Sequence, residues 1–191
     1  MEPERELYLI IGLGNPGAAY RETRHNIGFK LADLLSAQGR RPFERREAQS
    51  LLCRTERAGR NLLLAKPQTY MNRSGRAVRA LLEIYPVDLS RLLIVYDEAA
   101  LPFGKLRFRR AGSSGGQKGM GSIIQALGTE RIPRLRIGVG GDEPAGNVAD
   151  YVLSEFDRKE REQLDEILER AVRACDSWLK EGIDQAMARF N

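Results

Sequence analysis

The sequence predicts an α/β fold in which a largely parallel or mixed sheet carries helices on both sides, and three observations lead there. Apolar strand-like runs alternate with helix-period patterns along most of the chain, the order that builds a layered α/β domain. The run Leu92 to Tyr96 (LLIVY) is continuously apolar, as in a central strand buried on both faces. With 191 residues, 42% of them hydrophobic and 30% charged, the chain is long enough for one well-buried domain and short for two. A single domain over residues 1–191 is therefore expected.

Taken in order, Leu7 to Leu13 reads as a buried strand and Gly28 to Ala37 as a helix whose apolar face is Phe29, Leu31, Leu34 and Leu35. Residues 39–47 are basic and irregular, and Leu51 to Thr55 with Asn61 to Ala65 read as a hairpin. Pro67 ends the second strand, and the loop Gln68 to Asn72 follows. Ser74 opens a helix with Val78, Leu81, Leu82 and Tyr85 on one stripe, which Pro86 closes. After the LLIVY strand come Asp97 and Glu98, then residues 105–109, where Leu106 and Phe108 alternate with Lys105, Arg107 and Arg109. A glycine loop, residues 111–119, leads into a helix from Met120 to Leu127, and Leu135 to Val139 is a further strand. The last long helix spans about Asp157 to Lys180, with Gly182 as its stop and C-terminal helices running to about residue 190.

The 31 Lys and Arg residues against 26 Asp and Glu leave a formal charge of +5, which favours a polyanionic partner. The two cysteines, Cys53 and Cys175, are far apart and lack metal-ligand spacing, and no signal-like or membrane-length apolar segment is present. A cytoplasmic protein without a metal site or cofactor is expected.

Function concentrates in residues 9–29, LIIGLGNPGAAYRETRHNIGF, which hold the only histidine of the chain, His25. Imidazole is the side chain whose ordinary titration range spans neutral pH, so a lone His is the first candidate for a general base. Gly12, Gly14 and Gly17 imitate a dinucleotide-binding fingerprint, with Asp33 near the ribose position. That reading fails because Asp33 falls within a helical pattern and Pro16 has no N–H for a pyrophosphate.

Four unusual loops follow strands, at residues 14–25, 67–72, 97–104 and 112–119, where α/β sheets collect working groups. Among them they offer His25, Asp97, Asn15, Asn72 and Lys118. A neutral imidazole can take a proton from water while a carboxylate on its far nitrogen fixes the tautomer and stabilises the imidazolium. Asp97 is that carboxylate. Asn15 and Asn72 can donate N–H groups to a carbonyl oxygen as it gains charge. With no nucleophile elbow and no cysteine beside the histidine, attack by water is the simplest route.

The segments GLGNPGAAYRETRHNIGF, KPQTYMNRSG, VYDEAALPFGKLRFRRAGSSGGQKGM and RLRIGVG resemble, in order and over nearly the whole chain, the bacterial-type peptidyl-tRNA hydrolases. The resemblance implies a single three-layer α/β/α domain, usually monomeric and metal-free. It implies cleavage of the ester between a peptide and the 3′ ribose of tRNA, with peptidyl-tRNA bound by its acceptor stem, 3′ end and 5′-phosphate. It assigns His25 as the base and Asp97 as its partner, Asn15 to recognition of the N-blocked peptidyl ester, and Asn72 to substrate positioning. Tyr20 and Tyr70 match aromatic positions at the acceptor end, where base stacking is worth ~1–3 kcal/mol. Arg109 and Arg136 match a clamp for the 5′-phosphate. The expected substrate- and tRNA-binding set is Tyr20, Tyr70, Met71, Asn72, Lys105, Arg109, Lys118 and Arg136.

One departure is informative. Most members have His-Asn where this chain has Gln117-Lys118; a lysine keeps a donor but loses the amide acceptor and adds a charge. The same fold includes a plant chloroplast member that serves in intron splicing, so a non-catalytic RNA-binding relative is the alternative. Independently of the resemblance, Lys105, Arg107 and Arg109 on one strand face, with Arg110, Lys118, Arg131, Arg134 and Arg136 nearby in sequence, predict a phosphate-binding rim.

Overall fold

The computed structural model describes residues 6–141 and 147–191. Its centre is a seven-stranded sheet in the order β2-β3-β4-β1-β5-β7-β6. The strands are β1 (Leu7–Gly12), β2 (Arg45–Glu47), β3 (Ser50–Arg57), β4 (Arg60–Pro67), β5 (Leu92–Pro102), β6 (Leu106–Arg109) and β7 (Arg134–Gly140). The helices are α1 (Ile27–Gln38), α2 (Ser74–Ile84), α3 (Lys118–Leu127), α4 (Val148–Val152), α5 (Arg158–Glu181) and α6 (Ile183–Phe190).

The four central strands β4, β1, β5 and β7 pair in parallel, while β2-β3-β4 at one edge and β6-β7 at the other are antiparallel. The sheet is thus mixed, and its parallel part is the centre. Parallel strands need both faces covered, and the sequence supplies the apolar residues in both phases. Along β1 and β5, Ile10, Leu93 and Val95 face α1 and α5, whereas Leu9, Ile11, Leu92, Ile94 and Tyr96 face α2 and α3. Ile27, Leu31, Leu35, Leu168, Val172 and Trp178 close the first layer, and Val78, Leu81, Met120 and Ile123 the second. Each fully buried aliphatic or aromatic side chain contributes about 1.5–3 kcal/mol of hydrophobic stabilisation before entropy is charged against it.

Local chemistry explains the joints. The β3–β4 hairpin turns through Ala58 (φ 53) and Gly59 (φ 75), the two positive angles of a primed two-residue turn whose twist matches the strands. The first turn of α1 rests directly on the end of β1: a Cβ on Gly12 would overlap the Gly28 carbonyl, and one on Gly28 would overlap Leu13 and Val95 backbone. This close approach holds the start of α1, and the turn before it, at the C-terminal end of β1 and beside the middle of β5. Helix α5 opens with a capping box, Asp157 accepting from the Glu160 N–H and Glu160 accepting from the Asp157 N–H. Gly182 (φ 83) separates α5 from α6 as expected from the sequence.

Several expectations are corrected. The irregular basic stretch 39–47 ends in a short edge strand, β2, which pairs with β3 through Arg45, Arg46 and Glu47. Asp97 and Glu98 are not in a loop after β5 but inside it, because β5 continues to Pro102 with an irregularity between Glu98 and Pro102. Lys105 precedes β6 in a turn and lines a cleft of about 530 Å³ with residues of α5 and α6, so it lies just outside the strand that carries Arg107 and Arg109. Arg134 is not part of a rim: it is 1% exposed, and its guanidinium donates to the carbonyls of Ile132, Gly112, Ser113 and Glu130. Those bonds replace its hydration and staple the glycine loop to β7, which a buried cation requires. Arg110 pairs with Asp184 of α6.

Candidate active site

His25 lies in a single 3-10 turn, Arg24–Asn26, that runs straight into α1. Its Nδ1 is 2.8 Å from Oδ2 of Asp97, and the two side chains are 10% and 1% exposed. Among the described residues Asp97 is the one hydrogen-bond partner of the ring. A carboxylate on Nδ1 requires that nitrogen to carry the proton, which leaves the lone pair on Nε2. Strand β5 makes this pairing possible: Asp97 follows Tyr96 on the face toward α1, in the same phase as Val95, so its side chain meets the turn that Gly12 and Gly28 hold there.

The remaining polar groups form a closed circuit. Asp97 Oδ1 accepts from Gln117 Nε2 at 3.0 Å, and Gln117 Nε2 also lies 3.4 Å from Met71 Sδ. The Met71 N–H donates to Asn15 Oδ1 at 2.7 Å. Asn15 and Asn26 then exchange two bonds, Asn15 N–H to Asn26 Oδ1 at 2.8 Å and Asn26 Nδ2 to the Asn15 carbonyl at 2.9 Å. Asn26 is the chain neighbour of His25, so the circuit returns to its start. The Asn15 amide is oriented without ambiguity, because a backbone donor on Oδ1 turns Nδ2 into a free donor. Asn15 is 7% exposed, and its amide is preset for a ligand oxygen.

Asn72, in the 3-10 turn Met71–Arg73 before α2, is exposed, as is Lys118 at the first position of α3. Met71 is 3% exposed, so its side chain belongs to the core floor of the site and its backbone N–H to the Asn15 contact. Tyr70 is 56% exposed and meets Tyr20 edge to face, with ring centroids 6.3 Å apart. Together the loops that carry Asn15, Tyr20, His25, Tyr70, Met71, Asn72, Gln117 and Lys118 converge around Asp97, midway along β5.

The cations of the outer strands lie to one side. Arg107 is opposite Arg136 across β6 and β7, and Arg109 is exposed. Arg136 Nη1 donates to Glu98 Oε2 at 3.0 Å, while its buried Nε has no hydrogen-bond partner among the described residues. Sequence reasoning did not single out Asn26, Glu98 or the Gln117–Asp97 contact. Their signal was only adjacency, each being the chain neighbour of a residue already chosen.

Comparison with known proteins points to one family. The family model described as peptidyl-tRNA hydrolase matches residues 9–191. A peptidyl-tRNA hydrolase of Carboxydothermus hydrogenoformans is 49% identical over 186 residues, covering 97% of this chain and 98% of its own. One from Chloroflexus aurantiacus is 46% identical, covering 97% and 99%. A crystal structure of the Acinetobacter baumannii peptidyl-tRNA hydrolase at 1.00 Å resolution superposes with a TM-score of 0.89 at 30% identity, covering 100% and 97% of the two chains. Each match spans essentially the entire described fold, including every loop of the polar circuit, and the chain belongs to the peptidyl-tRNA hydrolase family.

Proposed function

We propose that this protein hydrolyses the ester between the C-terminal carbonyl of a peptide and the 3′ ribose of tRNA, with His25 as general base. The observation that carries the residue assignment is the buried His25–Asp97 pair at 2.8 Å. Nε2 of His25 takes a proton from a water molecule as that water attacks the ester carbonyl, and Asp97 stabilises the imidazolium that results. Negative charge develops on the carbonyl oxygen, where the amides of Asn15 and Asn72 are the available non-titrating donors. Collapse of the tetrahedral intermediate expels the ribose 3′ oxygen, which recovers the proton from the imidazolium. An N-blocked substrate presents an amide near Asn15 where a free aminoacyl ester presents a cation, and a neutral, preset amide suits the former.

The edge-to-face pair Tyr20 and Tyr70 provides a stacking surface for the terminal nucleotide. Arg109 and Arg136 are the clamp for the 5′-phosphate, with Lys105 and Lys118 as further cations toward the acceptor stem. The protein acts in the cytoplasm as a one-domain monomer without an obligate protein partner; among the described residues, no helix is long and apolar enough to cross a membrane. Parallel assays on N-acetylated and free aminoacyl-tRNA test the reading. Turnover of the blocked ester alone supports it, and binding without turnover of either assigns a purely RNA-binding role.

A further inference from the structure

We infer that Gln117 is a positioning residue for this reaction: its amide pins the Asp97 carboxylate so that Oδ2 faces His25, and ties that carboxylate to the first turn of α3. The inference rests on the roles of His25 and Asp97 given above.

Both ends of the Gln117 amide are engaged, and their identities follow from the partners. The Met120 N–H, one of the donors that α3 leaves unpaired at its start, donates to Oε1 at 2.7 Å. Since a backbone N–H can only donate, the oxygen of the amide is fixed there, and Nε2 is the end directed at Asp97 Oδ1, 3.0 Å away. Asp97 therefore has one side-chain partner on each oxygen, His25 on Oδ2 and Gln117 on Oδ1. The terminal torsion of an aspartate is a broad rotor with no sharp minimum of its own. At 1% side-chain exposure no bulk water is available to hold it, so the second donor sets the carboxylate plane.

The glutamine brings a property that an imidazole in its place would lack. An amide N–H donates at every pH, whereas a histidine changes its number of donors as it titrates. The brace on Asp97 is thus independent of pH, and His25 is left as the only imidazole in the chain. The same amide stands within 3.4 Å of Met71 Sδ, beside the N–H that presets Asn15, so Gln117 joins the base side of the site to the substrate-recognition side.

Two variants separate bracing from mere helix capping. Gln117→Asn keeps a good cap acceptor but is one methylene too short to reach Asp97; Gln117→Glu keeps the reach and the cap acceptor but replaces the donor by a second carboxylate. Steady-state kinetics on N-acetylaminoacyl-tRNA, thermal melting, and the long-range 15N spectrum of the single imidazole are measured for both. The expected result is kcat lowered roughly 10- to 100-fold with KM little changed, Tm close to native, and shifted His25 ring resonances, as for a base held slightly out of line. Native kcat with an unmoved imidazole spectrum would reduce Gln117 to a cap. A raised KM at unchanged kcat, or a lower kcat with an unmoved spectrum, would place it on the substrate instead, and either overturns the inference. His25→Ala in the same assay keeps the two claims apart. Full activity there removes the base assignment itself, whereas an inactive His25→Ala beside a native-like Gln117→Asn removes only the brace.

Discussion

Glu160 divides its carboxylate between the turn that carries His25 and the start of α5: Oε1 lies 2.7 Å from Arg24 Nη1, and Oε2 accepts the Asp157 N–H at 2.7 Å. The Arg24 guanidinium is otherwise enclosed by the rings of Tyr151 and Phe156, at 4.6 and 5.1 Å, and its Nε donates to Ser154 Oγ at 3.2 Å. Its own backbone N–H donates to the Ser154 carbonyl at 3.0 Å. The stretch from Tyr151 in α4 to Glu160 in α5 therefore clasps the residue next to His25, far from it in sequence.

Arg24→Ala is expected to lose about 3 kcal/mol of stability, because it leaves a nearly buried carboxylate and the ring faces without their cation. It should also lower kcat, since the His25 turn loses its clasp. Arg24→Lys should recover only part of both, because an ammonium cannot fork between Glu160 and Ser154. Denaturant midpoints and kcat measured together check this; a native-like alanine variant would mean that Gly12 and Gly28 seat the turn unaided.

Arg109→Ala and Arg136→Ala should raise KM for tRNA substrates and flatten the log–log dependence of binding on salt, by roughly 0.7 to 0.9 for each phosphate left without its arginine. Since Glu98 now holds Arg136, Glu98→Gln should tighten binding of a 5′-phosphorylated acceptor stem by releasing the guanidinium. Salt titrations of tRNA binding read both effects. Equal losses on a short ester without a 5′-phosphate would make these arginines structural.

Lys118 is exposed at the start of α3, beside Gln117. Lys118→Asn should stay active with weaker, less salt-sensitive tRNA binding, and Lys118→Glu should bind far worse, as a carboxylate there faces phosphates. A glutamate variant equal to the native enzyme at every salt concentration would place Lys118 outside the RNA-binding surface.

Burial pushes the Cys175 thiol up to about 12, and burial likewise raises Cys53. For a group whose folded-state value lies above the unfolded one (~8.5 for a free thiol), the stability gained is full below the unfolded value and is lost as pH rises from there toward the folded one. Stability should therefore decline from about pH 8.5 upward. At pH 8 neither thiol of the native protein should react with a disulfide reagent, and both should react at the rate of global unfolding, followed by the single Trp178. Immediate titration of two thiols in the native state would contradict this.

The layers and the candidates His25 and Asp97 were legible in the sequence because the signals are local. LLIVY announces a strand covered on both faces, the apolar spacing of α1 and α5 announces their buried stripes, and a lone histidine next to a short polar loop announces itself. What was not legible depends on partners distant in sequence. The continuation of β5 past Asp97 is set by its pairing with β7, not by the composition DEAALP. Arg134 reads as a surface cation until four carbonyls are found around it. Gln117 reads as a departure from a family pattern until its amide is found between Asp97 and Met120. The reciprocal bonds of Asn15 and Asn26 join residues eleven apart across a loop with no periodicity to reveal them.

The most direct test of the account is the turnover of N-acetylaminoacyl-tRNA by His25→Ala, with tRNA affinity measured on the same preparation. A lost general base should lower kcat by about 10²- to 10⁴-fold while tRNA binding stays native. Turnover near the native rate would contradict the assignment of His25 and, with it, the role of every residue arranged around it.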